Sequence, residues 1–173
     1  MTKHWFTSFL TQKYSSGKKL GLDLGSGYRN WHEFFKCDYI AFDLPSQIKQ
    51  EKLKRPDVCG NAICLPFRDN TFDFISCYSV LPYVPNLDVV FKEIYRVMKP
   101  CGISVIIVQN PRGMKMNKEV DFVNRLDTKK LNKLLCLHGF KSIKYRNLKV
   151  YFYSTYYDLT SVYAYAIVKS MKK

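Results

Sequence analysis

Short apolar runs that end in turn residues alternate along this chain with stretches whose apolar positions recur at helical spacing. Residues 19–24 (Lys-Leu-Gly-Leu-Asp-Leu) form one such run, a glycine turn follows, and Trp31, Phe34 and Phe35 then recur at helical spacing. The pattern predicts strand, tight turn, helix. A second strand, Tyr39-Ile40-Ala41-Phe42, runs into Asp43, and Pro45 bars its simple continuation. Two predicted strand ends therefore carry acids, Asp23 and Asp43.

Ser46–Arg55 reads as a polar helix closed by Pro56, before a short strand near Asp57-Val58-Cys59. Thr71–Tyr78 reads as a buried central strand, and Pro82 and Pro85 bracket the loop behind it. Asn86 is placed to cap a helix whose apolar face is Leu87, Val90, Phe91, Ile94, Val97 and Met98, ended by Pro100 and Gly102. Ile103–Val108 is rich in β-branched residues and predicts another buried strand. Residues 109–126 are polar and contain Pro111 and Gly113, the marks of a long substrate-side loop. Asp127 can cap a last helix ending at Gly139, and strands near Lys141–Tyr145 and Ser161–Val168 complete the count. The order predicts an α/β fold over residues 1–173: one domain, a mostly parallel seven-stranded sheet with a C-terminal antiparallel hairpin, and helices on both faces. Residues 1–18 precede the first strand as a short N-terminal extension.

Composition narrows the partners more than the fold. Lys and Arg number 28 against 14 Asp and Glu, a net charge of +14, which favours polyanions such as nucleic acid or an anionic surface. The basic residues are spread along the chain, so an ordinary solvated basic surface fits equally well. The six cysteines (Cys37, Cys59, Cys64, Cys77, Cys101, Cys136) form no C-x-x-C pair and have no His at ligand spacing, which predicts buried free thiols and no metal site. With no long apolar segment and no cleavage-site pattern, the expectation is a cytoplasmic protein that inserts in no membrane.

The glycine turn Asp23-Leu24-Gly25-Ser26-Gly27, the acid at Asp43 about 20 residues beyond it, Cys59-Gly60-Asn61-Ala62-Ile63-Cys64-Leu65-Pro66-Phe67, the strand Phe72–Tyr78 and the run Glu93–Gly102 together resemble the class I S-adenosylmethionine (SAM)-dependent methyltransferases, of the small single-domain, type 11-like group. The likeness covers roughly Lys18–Val108. It implies a Rossmann-like sheet, SAM as cofactor, and cofactor contacts at Asp23, Gly25, Ser26, Gly27, Asp43, Leu44, Asn61, Ala62 and Tyr78. Glycines at 25 and 27 let the backbone turn sharply beside a ligand, Asp43 can take both ribose hydroxyls, and Asn61 stands where the family carries an acid that reads the adenine. Arg29 stands where the fuller family pattern has a third glycine.

The resemblance implies methyl transfer by in-line displacement, which rests on alignment more than on a catalytic triad. No confident base emerges: His32 and His138 fall on predicted helices, and Tyr78 and Tyr83 are candidates for the substrate side. A first segment too short to cap the acceptor suggests an open site. With the charge, this points to RNA or protein as acceptor, or to a partner subunit that completes the pocket. A small-molecule acceptor and a catalytically silent, methyltransferase-like binding subunit are the alternatives.

Overall fold

The computed structural model describes residues 3–27, 33–45, 56–111, 114, 122–148 and 163–172. Seven strands form one sheet: β1 (Leu20–Leu24), β2 (Asp38–Asp43), β3 (Val58–Cys59), β4 (Phe72–Tyr78), β5 (Met98–Gln109), β6 (Phe140–Leu148) and β7 (Tyr163–Ser170). Their order across the sheet is β3-β2-β1-β4-β5-β7-β6. The first five pair in parallel, and β7 lies antiparallel to both β5 and β6. This is the Rossmann-like sheet that the alternation of strands and helices predicts, closed by an antiparallel pair.

Three helices cover the sheet among the described residues: α1 (Lys3–Ser15), α2 (Leu87–Val97) and α3 (Thr128–Leu137). The Asn86 side chain accepts from the Val89 amide at 3.2 Å and starts α2. Val90, Phe91, Ile94 and Val97 are then wholly buried against one face of the sheet, each worth about 2 kcal/mol of burial. Asp127 caps α3 by accepting from the Lys130 amide at 2.7 Å, as its position predicts. β4 is buried on both faces: Phe72, Ile75 and Cys77 join the larger core under α2 and α3, whereas Phe74 joins the smaller core under α1. That alternation fixes which way each site residue on this strand points.

Four local expectations change. α2 stops at Val97 and the chain passes directly into β5 at Met98, so Pro100 and Gly102 lie inside a strand span and Cys101 takes a φ of 59°. Residues 33–37 are turn and bend, and Phe35 stacks on Tyr39 with ring centroids 4.1 Å apart, so Phe34 and Phe35 are not helical. The first 18 residues are no bare extension, because α1 packs Leu10 into the smaller core. Cys77 is buried as expected, but Cys59, Cys64, Cys101 and Cys136 are exposed. The helix expected over 46–55, together with Arg29, Trp31 and His32, lies outside the described residues, as do 112–113 and 115–121 of the substrate-side loop.

Two polar clasps hold the helical layer to the loops that shape the cleft. Arg96 bonds Glu93 through Nε and NH2, the Leu65 and Phe67 carbonyls at 2.9 and 2.8 Å, and Asp69 at 2.8 Å. Glu93 in turn accepts from the Leu65 amide at 2.7 Å, and the Arg96 contacts hold its carboxyl below the usual range. The Glu93–Gly102 stretch is thus structural at its start: it fixes the segment 65–69. At the same C-terminal end of α2, Lys172 Nζ donates to the Arg96 and Met98 carbonyls, both at 2.8 Å, and to Asn70 at 2.7 Å. A cation there satisfies carbonyls that the helix end leaves open.

Candidate cofactor and methyl-transfer site

A cleft of about 510 Å³ opens beyond the carboxyl ends of β1, β2 and β4, lined among others by Gly25, Asp43, Leu44, Asn61, Ala62, Tyr78 and Tyr83. Strand ends of a parallel sheet are where ligands of such folds bind, and this size suits a nucleoside-bearing molecule. The β1–β2 pairing brings the glycine turn beside Asp43. The Gly25 and Ser26 amides both donate to the Phe42 carbonyl, at 2.8 and 3.1 Å, which draws the turn across the end of β2. Gly25 has a φ of 79°, and a Cβ there would stand 2.1 Å from Val80 Cγ2. Only glycine fits this crossing.

Asp43 is held by the turn it faces: the Gly27 amide donates to Oδ2 at 2.6 Å and the Leu44 amide to Oδ1 at 2.7 Å. The carboxylate therefore stands at the cleft wall in a fixed orientation, with acceptor capacity left for hydroxyl donors. Asn61 Oδ1 accepts from the Ile63 amide at 3.2 Å, so its carbonyl shapes the 61–64 turn. Ala62 is buried beside it.

Asp23 behaves differently. It is 2 % exposed; Oδ1 accepts from the Ser76 hydroxyl at 2.7 Å, while Oδ2 and the Ser26 hydroxyl are buried without a hydrogen-bond partner. Burial pushes the Asp23 carboxyl up to about 7, aided by the negative charge of Asp43 and opposed by the Ser76 bond. An unpartnered buried carboxylate oxygen is costly unless a donor arrives, and the natural occupant is a cation or an N–H donor. Asp23, Ser26 and Gly27 do not line the cleft; they lie in the turn behind it.

Of the two tyrosines, Tyr83 is exposed at the outer rim, in the 3-10 turn Leu81–Tyr83, with its ring 5.5 Å from that of Phe122. Tyr78 lines the cleft, but it shares the strand parity of Phe74 and turns toward α1. Its hydroxyl lies 2.8 Å from Thr11 Oγ1, and because Thr11 donates its own proton to the Thr7 carbonyl, Tyr78 is the donor. Burial pushes this phenol well above its ordinary range, so it does not serve as a base. His138 bonds Asp88 at 2.9 Å and lies tilted against Phe91, ring centroids 5.5 Å apart, a structural role.

Ser79 follows Tyr78 at the strand end, where the sequence places both toward the methyl group; the clasp made by Asn124 was missed. Ser79 has a φ of 62°, with its amide bonded to the Ile107 carbonyl at 2.7 Å, and this strained residue lines the cleft where β4 ends. Asn124 donates to the Leu81 and Val84 carbonyls, and the amides of Val123 and Asn124 both reach the Pro82 carbonyl, at 2.9 and 3.1 Å. This part of the substrate-side loop is thereby fixed to the rim carrying Tyr83. A docked loop leaves no periodic trace, so the clasp was not legible.

Residues 22–106 match the family described as a methyltransferase domain. These residues thus carry a domain similar to the SAM-dependent class I methyltransferases. The chain is 36 % identical to an uncharacterized protein of Methanocaldococcus jannaschii, over 60 % of this chain and 47 % of that one. It is 40 % identical to a demethylmenaquinone methyltransferase of Geobacillus sp., over 50 % of this chain and 43 % of the relative. The chain thus spans about half the length of the curated relatives it matches. Among solved structures, phosphoethanolamine N-methyltransferase 2 of Haemonchus contortus in complex with S-adenosyl-L-methionine aligns with a TM-score of 0.73 at 14 % identity, covering 97 % of this chain and 53 % of that one. The domain match makes SAM the cofactor to test against this cleft, and the residues present fit it: Asp23 Oδ2 and the Ser26 hydroxyl, unpartnered among the described residues, lie in the glycine turn, and the wall beyond offers a fixed carboxylate and an amide.

Proposed function

We propose that this methyltransferase transfers a methyl group from SAM to a small, largely apolar acceptor. The observation that carries the reading is the pairing of a buried, unpartnered carboxylate oxygen at Asp23 with the fixed Asp43 carboxylate, one behind and one beside the same glycine turn. Asp23, with the Ser26 hydroxyl, would take the ammonium of the cofactor's amino-acid part; Asp43 would accept from the ribose hydroxyls, and Asn61 and the amide of Ala62 would meet the adenine. When bound, the sulfonium supplies the methyl group as an electrophile. What the chain contributes to the reaction is alignment and exclusion of water, since displacement at a methyl group needs the nucleophile in line.

The acceptor side of the cleft supports the apolar assignment: Val80, Tyr83, Val84 and Pro85 line it, and among the described residues no titratable side chain there is suited to act as a base. The relative from Geobacillus acts, by its name, on demethylmenaquinone, which favours a small molecule over RNA or protein. The net charge of +14 supports a second reading, a polyanionic acceptor. Calorimetry at low salt tests the first step: SAM binding that is lost in Asp43→Ala supports the assignment, and no binding by the wild type returns the chain to a silent binding subunit. Methyl incorporation from labelled SAM into lipid-extractable, protein and RNA fractions decides the acceptor, and label confined to RNA or protein refutes the apolar one.

A further inference from the structure

The corner formed by the end of α3, the start of β6 and the end of β7 carries a surface that neither the cofactor site nor the core explains. Lys133 and Leu137 lie four residues apart on the exposed face of α3, and Leu137 is 70 % exposed. The Met171 amide bonds the Gly139 carbonyl at 3.1 Å, which sets Met171, 54 % exposed, against the turn that follows Leu137. Along β6, Lys141 and Lys144 are both exposed. The pairing of β6 with β7 shifts register between Ser142 and Lys144, and this bulge turns Ile143 outward, 52 % exposed. Ser142 bonds Asn132 and ties α3 to this edge strand, while Lys141 and Lys144, paired with Lys169 and Ile167, leave the sheet on the α1 side, so the helix residues and the lysines flank the open edge of β6 from its two faces. Lys141 stands directly opposite Lys169, a like-charge pair that costs stability in isolation. Among the described residues none of Lys133, Lys141, Lys144 and Lys169 has an ion pair. Among the described residues, Asp88 pairs with His138 and Asp127 caps α3.

Lysines and a bulge on an edge strand are an ordinary defence against strand pairing. That defence explains the charges but not three protruding aliphatic side chains among them. Lysines around exposed Leu, Ile and Met are what an anionic bilayer surface selects: the cations meet headgroups and the aliphatic groups enter the acyl boundary. A nucleic-acid surface would instead offer aromatic stacking platforms, and among the described residues none of the exposed large apolar ones at this corner is aromatic. The geometry points to this α3–β6–β7 corner as a docking surface for an anionic phospholipid membrane. Lys169 pairs beside Ile103, at the start of β5, so the corner lies at the end of the sheet away from the cofactor cleft, and docking leaves the cleft open. The surface is independent of the acceptor assigned above.

The test is sedimentation of the full chain with vesicles of mixed phosphatidylglycerol and phosphatidylcholine, against pure phosphatidylcholine, at low and high salt. The wild type is expected to partition onto the anionic vesicles only, and to release in high salt. At about fivefold per lysine, the double variant K141E/K144E should bind at least 25-fold more weakly. Ile143→Ser with Leu137→Ser should lose about tenfold on the same vesicles. All four positions are exposed, so circular dichroism and SAM calorimetry should match the wild type in both variants. Absence of vesicle binding, equal binding to neutral vesicles, or unchanged partition of either variant overturns the proposal. So does capture of an RNA oligonucleotide by a wild type that ignores the vesicles.

Discussion

Replacing Asp23 by Asn isolates the electrostatic cost of the turn behind the cleft. The carboxyl is 2 % exposed and its ordinary value of 3.8 is pushed up to about 7 by burial, so the folded state holds its proton over a range in which the unfolded chain has lost it. The sign follows from linkage: between about pH 4 and 7 the native state binds more protons than the unfolded one, and stability falls as pH rises. At 1.36 kcal/mol for each tenfold change, the full penalty above pH 7 is about 4 kcal/mol, an upper figure that local relaxation reduces. Asn keeps the Ser76 bond and cannot ionise. Urea unfolding followed by circular dichroism should therefore show the wild type losing stability from about pH 4 to 7 while Asp23→Asn stays level, and the variant should be the more stable above pH 7. The same variant should bind SAM at least tenfold more weakly near pH 8, where the wild type offers a carboxylate to the ammonium. Asp73 and Glu93, whose carboxyls sit below their ordinary values, act in the opposite sense and only below about pH 4. Parallel pH profiles for wild type and variant would refute the reasoning.

Gly25→Ala meets both a positive φ and Val80, and should cost about 2–4 kcal/mol in chemical unfolding. Val80→Ala in the same chain should restore the steric part, so additive effects in that double-mutant cycle would contradict the contact. Arg96→Ala removes donors from the Leu65 and Phe67 carbonyls and strands Glu93, and should lower stability by about 2–3 kcal/mol at neutral pH. Asp43→Ala should weaken SAM by about 10- to 100-fold in calorimetry while leaving the fold intact, since a charged hydrogen-bond acceptor is lost. Alkylation followed by mass spectrometry should label Cys59, Cys64, Cys101 and Cys136 in the native state; Cys77 is buried, and burial pushes the Cys37 thiol up to about 11, so neither should react.

The strong amphipathic face of α2 and its Asn86 cap were legible because burial there follows the helical period and the cap is local chemistry. The acids at the ends of β1 and β2 were legible for a similar reason: each ends an apolar run. The face that Tyr78 takes was not legible, since its position at a strand end does not give it; only counting back to Phe74 and Cys77 assigns it to the α1 side. α1 was missed because its apolar residues make a weak stripe, and it is held by contacts such as Phe6 on Tyr165, 5.2 Å between ring centroids, that join the two ends of the chain. The Asn124 clasp depends on carbonyls brought near only by folding.

The place of β7 has a consequence for the order in which the sheet can be finished. β6 precedes β7 in the chain yet has no other neighbour, and β5 borders β7 rather than β6. During synthesis, β5 therefore leaves the ribosome with an open polar edge, and β6 waits unpaired, until the strand that fits between them has been made. A nascent chain paused before Tyr163 presents two incomplete edges at once, which is the stage at which chaperone capture or aggregation would act on this protein.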